Sequence, residues 1–224
     1  MPASYLPTAD TTPTRKSDRV SYDRAAVHAA IDEAVMCHLG FVVEGRPVVL
    51  PQLHARVGEH LYVHASSAAR LMRSTREGIA VCVTISHIDG LVLARSAFNH
   101  SLNYRSVIVH GLAELVTDAE EKRKVLAAFV DAVLPGRADH VRGVNRKELG
   151  ATAVLRIPLE NVSLKSRSAP PGDDEEDLAL PYWAGVIPLT NSVPGTPEPA
   201  PDLDPSMAVP AHVARWSRET RASR

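Results

Sequence analysis

The run HLGFVVEGRPVVLPQLHARVGEHLYVHAS (residues 38–66) sets three β-rich segments in immediate succession, Leu39–Val43, Pro47–His54 and Leu61–His64. They are separated only by Glu44-Gly45-Arg46 and Val57-Gly58-Glu59. Connections this short can join only antiparallel neighbours, because a parallel crossover needs about a dozen residues or more. This stretch is therefore a meander, and the pattern continues downstream. Ile79–Ile85 and Leu91–Ala97 flank His87-Ile88-Asp89-Gly90, where Asp-Gly predicts a tight hairpin. Tyr104–Val116, with Gly111 as a bulge or a point of close backbone approach, Thr152–Pro158 and Val162–Ser166 add further strands. At least six β segments without βαβ alternation predict a mainly β fold, an antiparallel β-barrel or strongly bent sheet with peripheral helices.

The helices fall between the strands. Asp23 caps a predicted helix from Arg24 to Met36 that presents Val27, Ile31, Ala34 and Val35 on one face. Ser66 or Ser67 caps a short one from Ala68 to about Arg76, stopped by Gly78. Thr117-Asp118-Ala119-Glu120 reads as a capping box before a stripe of Val125, Leu126, Phe129, Val130 and Val133. A short helix at Arg146–Gly150, an acidic loop at Asp173–Asp177 and the apolar segment PYWAGVIPL complete the ordered part.

Of 17 prolines in 224 residues, three lie in residues 1–20 and six in residues 191–224, and neither stretch has apolar periodicity. Both read as disordered tails around one domain at 21–190. A formal charge of −1 offers no basic field for a nucleic-acid backbone. No apolar run approaches the ~20 residues that span a bilayer, and no signal-peptide pattern opens the chain. The expected location is cytoplasmic, with Cys37 and Cys82 as buried thiols. GxGxxG, the P-loop and GxSxG are absent.

Two polar clusters could carry chemistry. His64-Ala65-Ser66-Ser67-Ala68-Ala69-Arg70 lies where a strand gives way to a helix, and free N–H groups, hydroxyls and a guanidinium there suit a phosphate. A plain serine cap is the simpler alternative. FNHSLNYRSVIV (98–109) gathers His100, Ser101, Asn103, Tyr104, Arg105 and Ser106, more donors than a turn needs, although a satisfied polar connection would look the same. Ten histidines invite a metal, but His60 and His64 stand roughly 13 Å apart on a strand, and no carboxylate or cysteine completes a set. Composition favours a core role for Trp183.

Together, LYVHASSAARLM (61–72), DGLVLARSAFNHSLNYRSVIVHG (89–111) and DDEEDLALPYWAGVIPL (173–189) closely resemble the pyridoxamine 5′-phosphate oxidase-related proteins, in the predicted flavin-nucleotide-binding branch that includes nitroimidazole-resistance proteins. The resemblance spans roughly Arg19 to Leu189. It implies an FMN-binding split barrel that forms a homodimer, with FMN in the clefts between subunits and a small-molecule substrate. It assigns Val49, Leu50, Pro51 and Gln52 to the isoalloxazine and ribityl chain through backbone groups, and His64, Ser66, Ser67 and Arg70 to the phosphate. Asn103, Arg105 and Ser106 fall where the family contacts the ribityl or phosphate part, and Trp183 resembles the aromatic that approaches the flavin from the partner subunit. Gln52 replaces the oxidases' substrate-binding lysine, Ala69-Arg70 replaces their paired basic residues, and their C-terminal Arg-x-His is missing, so oxidation of a vitamin B6 phosphate is not expected. The expected function is an FMN-dependent oxidoreductase, with His54 and His100 as candidate proton donors and the catalytic residues otherwise unknown. A non-catalytic FMN-binding, storage or sensing protein, or the same barrel holding heme or a deazaflavin, is the alternative.

Overall fold

The computed structural model describes residues 2–66, 78–189 and parts of 197–214. The strands are β1 (Val20–Ser21), β2 (Met36–Val43), β3 (Arg46–Val57), β4 (His60–Ser66), β5 (Ile79–Leu93), β6 (Ser101–Leu115), β7 (Thr152–Pro158), β8 (Asn161–Arg167) and β9 (Gly185–Pro188). The helices are α1 (Arg24–Glu33), α2 (Ala119–Val133), α3 (Arg146–Ala151) and α4 (Ala211–Ala214). The β2–β3 hairpin closes through Glu44 and Gly45, both at positive φ, the two-residue turn whose twist matches the strands. Helix α1 starts where expected, its Asp23 carboxylate accepting from the Ala26 N–H at 2.7 Å. It stops at Glu33, short of Met36, because β2 claims Met36.

Two long strands organise the barrel by changing partners along their length. β5 pairs with β2 over Val81–Thr84 and with β9 over Gly90–Leu93, while β6 pairs with β8 over Tyr104–His110 and with β7 at Glu114 and Leu115. Since β5 also pairs with β6, the ring β2-β3-β4-β7-β6-β5 closes, and β9 on one side and β8 with β1 on the other extend it as a sheet. Ile31, Cys37, Leu39, Val83, Val107, Leu155 and Ile157 fill the interior. A second cluster lies under α2, where Val125 and Phe129 cover Ala55, Tyr62 and Val154. Gly111 is a close approach, as expected: a Cβ there would sit 3.1 Å from Ile157 Cγ2.

Two expectations are corrected. Asp89-Gly90 is not a hairpin turn: β5 runs straight through it, with a bulge between Ile88 and Gly90. A Cβ at Gly90 would crowd Val186 Cγ1 at 3.1 Å and the Ile187 carbonyl at 3.2 Å, and the Asp89 carboxylate is bonded to Arg105. These tertiary contacts override the local turn preference. Residues 2–20 are not a loose tail either. Tyr5 is 4% exposed within the barrel core, and its hydroxyl lies 2.7 Å from His28 Nε2 and 3.0 Å from Glu59. Ser4 forms a bridge with Asp23. Among the described residues, no helix is long and apolar enough to cross a membrane.

Candidate functional site

β3 and β4 pair only from His54↔Val63 to Val57↔His60. Among the described residues, the start of β3, Arg46 to Leu53, pairs with β2 on one edge, while the end of β4, His64–Ser66, pairs with β7 and not with β3. The two strands therefore diverge. Among the described residues, the opening exposes an unpaired edge of Val49–Gln52 opposite the end of β4. An unpaired strand edge presents N–H and C=O groups that a polar heterocycle can bond. Strand alternation divides the β3 residues: Val49 (63% exposed) and Pro51 face outward, while Leu50 packs towards the core with Gln52 on its side of the strand.

His64 and Ser66 close the far side of the opening. The His64 ring meets Phe129 of α2 edge-on, centroids 4.6 Å apart, and its Nδ1 is buried without a hydrogen-bond partner. Burial lowers its pKa, so it stands at neutral pH as an uncharged imidazole able to donate or accept one further bond. Ser66 is exposed at the strand end, opposite Thr152. Ser67, Arg70 and the short helix expected from Ala68 to Arg76 lie outside the described residues.

The polar cluster on β6 divides into three roles. Arg105 is held from two sides, by the Asp89 carboxylate (Nε 3.1 Å, Nη2 2.9 Å) and by Glu33 of α1 (Nη2 3.1 Å, and Nη1 in a second bond). That bond to Arg105 pulls the Glu33 carboxyl below its ordinary pKa. With both carboxylates bidentate, Arg105 ties α1 to the β5 bulge, and its charge is already met. Asn103 is buried, and its carbonyl accepts from Arg167 at 2.5 Å and from the Ala169 N–H at 3.1 Å, fastening the chain after β8. Ser106 lies on the outer face between Ser86 and Lys165. This face continues through Ile88, Leu91, Leu102 and Ile187, all substantially exposed.

Trp183 is 68% exposed, so the core role that composition suggests is wrong for the isolated chain. Its indole lies on Gly185, where a Cβ would come 2.8 Å from Cη2. The segment carrying it is strapped down by Asp173, which accepts from the Arg95 N–H and guanidinium, both at 2.8 Å, and by β9 on β5. Of the candidate proton donors, His54 is buried and donates through Nε2 to the Ile31 carbonyl at 3.0 Å, beside a cavity of about 260 Å³ that also borders Arg56 and Asp131. That cavity is lined by none of the residues assigned above to the flavin. His100 is exposed at the β5–β6 turn. Cys37 is buried, its thiol pushed up to about 12, and Cys82 is half-buried; both are free.

The family model for pyridoxamine 5′-phosphate oxidase matches residues 23–166, from the α1 cap to the end of β8. The chain belongs to the pyridoxamine 5′-phosphate oxidase family. Two solved members are similar along nearly their whole length. The flavocytochrome Anf3 from Azotobacter vinelandii is 39% identical over 95% of this chain and 99% of its own, with a TM-score of 0.87. The FAD and heme binding protein from Mycobacterium smegmatis is 36% identical over 87% and 95%, with a TM-score of 0.82. A 5-nitroimidazole-resistance-like protein from Bacteroides thetaiotaomicron shares the fold, at 23% identity over 65% and 85% and a TM-score of 0.53. No curated protein matches. The structure brings the start of β3 and the end of β4 to one opening and leaves Trp183 exposed on β9's side of the sheet. The diverging edges and the Gly185 cradle escaped the sequence reading, since neither partner changes along a strand nor a close approach to glycine leaves a local signal.

Proposed function

We propose that the protein is a flavin-dependent oxidoreductase that also carries a heme and works as a homodimer on a small organic molecule. The observation that carries this reading is 39% identity, over 95% of the chain, to a protein named as a flavocytochrome. The open β3 edge fits a flavin: Val49–Gln52 supply backbone donors and acceptors to the ring system, while His64, Ser66, Ser67 and Arg70 meet the phosphate. His64, neutral and with an unused Nδ1, contributes a hydrogen bond rather than a charge. When bound, the flavin supplies hydride or single-electron transfer and the heme iron single-electron transfer; the protein supplies orientation and hydrogen bonds. FMN is the nucleotide that the family resemblance implies, and the name of the mycobacterial relative favours FAD as a second reading.

The dimer is supported by the outer sheet face, where Met36, Val42, Val49, Ile88 and Leu112 are exposed together. Apolar side chains on one continuous face gain most by meeting a second copy of that face. Trp183 would then reach the partner's flavin. Two free thiols suit a cytoplasmic protein.

The test is the visible spectrum of the freshly purified protein, with released chromophores identified by mass. Flavin and heme bands are expected. A colourless protein that takes up none of FMN, FAD or hemin overturns the reading. Anaerobic addition of a nicotinamide cofactor or reduced ferredoxin should bleach the flavin. A flavin that no reductant bleaches would make this a binding or storage protein.

A further inference from the structure

Helices α1 and α2 both end at one cavity of about 260 Å³, which lies between their last turns and β3. The space exists because the side chains around it are short: Ala34, Ala55, Ala128 and Ala132 wall it, with Ile31 and Pro135. An apolar cavity of roughly 150 Å³ holds a benzene ring, so this one has room for a ring and a short chain. Pockets for drug-sized molecules begin at roughly 300 Å³, which sets the upper limit on its occupant.

The charges around the cavity do not cancel. Arg56 bonds the Asp32 carboxylate through Nε and Nη2 and donates from Nη1 to the Gly58 carbonyl, so Asp32 and Arg56 neutralise one another. Asp131, in the last turn of α2, accepts from the Ala138 N–H at 2.8 Å, and among the described residues no lysine, arginine or histidine pairs with it. Neither α1 nor α2 has a basic residue in its last turn, so the negative ends of two helix dipoles add to the Asp131 charge. His54, 2% exposed, is the buried polar part of the lining, and its Nε2–H is spent on the Ile31 carbonyl at the end of α1. A carboxylate at a helix C-terminus opposes the dipole, and a local rule broken without compensation inside the fold marks a functional position. An apolar pocket in a negative field, with a carboxylate on its wall, selects a cation with an apolar body.

We propose that this cavity binds a small organic cation, an ammonium group on an apolar body about the size of a phenyl ring with a short chain, and that Asp131 is its counter-charge. The site is separate from the flavin and heme reading and does not depend on it. The experiment titrates the full-length protein, as purified, with phenethylamine and with butylamine at neutral pH, followed by saturation-transfer NMR and calorimetry, with phenylpropionate as an anion of matching shape. Phenethylamine should bind saturably at one site per chain, and phenylpropionate at least about 10-fold more weakly. Asp131→Asn keeps an oxygen for the Ala138 N–H and should stay folded, yet bind phenethylamine about 10-fold or more weakly, the loss of a hydrogen bond between charged groups. Ala128→Leu fills the cavity and should abolish binding, with circular dichroism checking the fold of both variants. Excess FMN should leave the amine bound. Failure of both amines to saturate, equal affinity for the anion, wild-type affinity in folded Asp131→Asn, or displacement by FMN would each overturn the proposal.

Discussion

At the residue scale, charge decides more than position. Arg105 looks in the sequence like a free cation beside a ligand site, yet two carboxylates from different elements occupy it. Glu33→Gln should therefore act on stability. The expected loss is about 1–2 kcal/mol at neutral pH, below the full value of a charged hydrogen bond because Arg105 is partly in water. Glu33 has a lowered folded pKa, so its contribution is complete above the ordinary value of about 4.5 and disappears as pH falls through the folded value. Urea unfolding of wild type and variant should differ at neutral pH and converge in acid, and a constant difference would exclude this origin. Arg70→Ala should weaken flavin binding by about 1.5–3 kcal/mol, measured by fluorescence titration, if Arg70 meets the phosphate as proposed. Unchanged affinity would remove Arg70 from the phosphate site.

At the element scale, strands that change partners build the site. β3 meets β4 only from His54 onward, and among the described residues the divergence before it leaves the edge of Val49–Gln52 free; β5 leaves β2 for β9, beside which Trp183 lies exposed. The orientation of Trp183 depends on an absent side chain. Gly185→Ala would set a methyl 2.8 Å from the indole, well inside van der Waals contact, and the ring must move. We expect a shifted tryptophan emission with little loss of stability, because the displaced ring is already exposed. If Trp183 approaches the partner's flavin, its quenching by bound flavin should fall as well. Emission identical to wild type would mean that the ring is not seated on Gly185.

At the scale of the whole molecule, the two chain ends differ. The N-terminal segment belongs to the folded unit: Tyr5→Ala removes a buried ring and the hydroxyl shared by His28 and Glu59, and should cost about 3 kcal/mol in a denaturant titration. Truncation after residue 190 should leave flavin binding intact. The outer sheet face predicts a dimer, which Val42→Arg combined with Leu112→Arg should split into folded monomers in analytical ultracentrifugation. A monomeric wild type, or a variant that stays dimeric, would mean that this face is not the interface. The sequence alone determined the antiparallel barrel, the Asp23 cap of α1 and most of the strands, because alternation and turn residues act over a few positions and are written locally; the cap of α2 is Asp118, one residue beyond the expected Thr117, and the capping box is at Asn145 and Glu148 of α3. Through its motifs it also determined the family. Only the tertiary structure decided that Asp89-Gly90 is a bulge, that Tyr5 is core, that Arg105 is occupied, and that, among the described residues, the β3 edge is unpaired and Trp183 is exposed. Each of these depends on what a distant segment brings against the residue, and packing and charge pairing between segments far apart in the chain outweigh local preference.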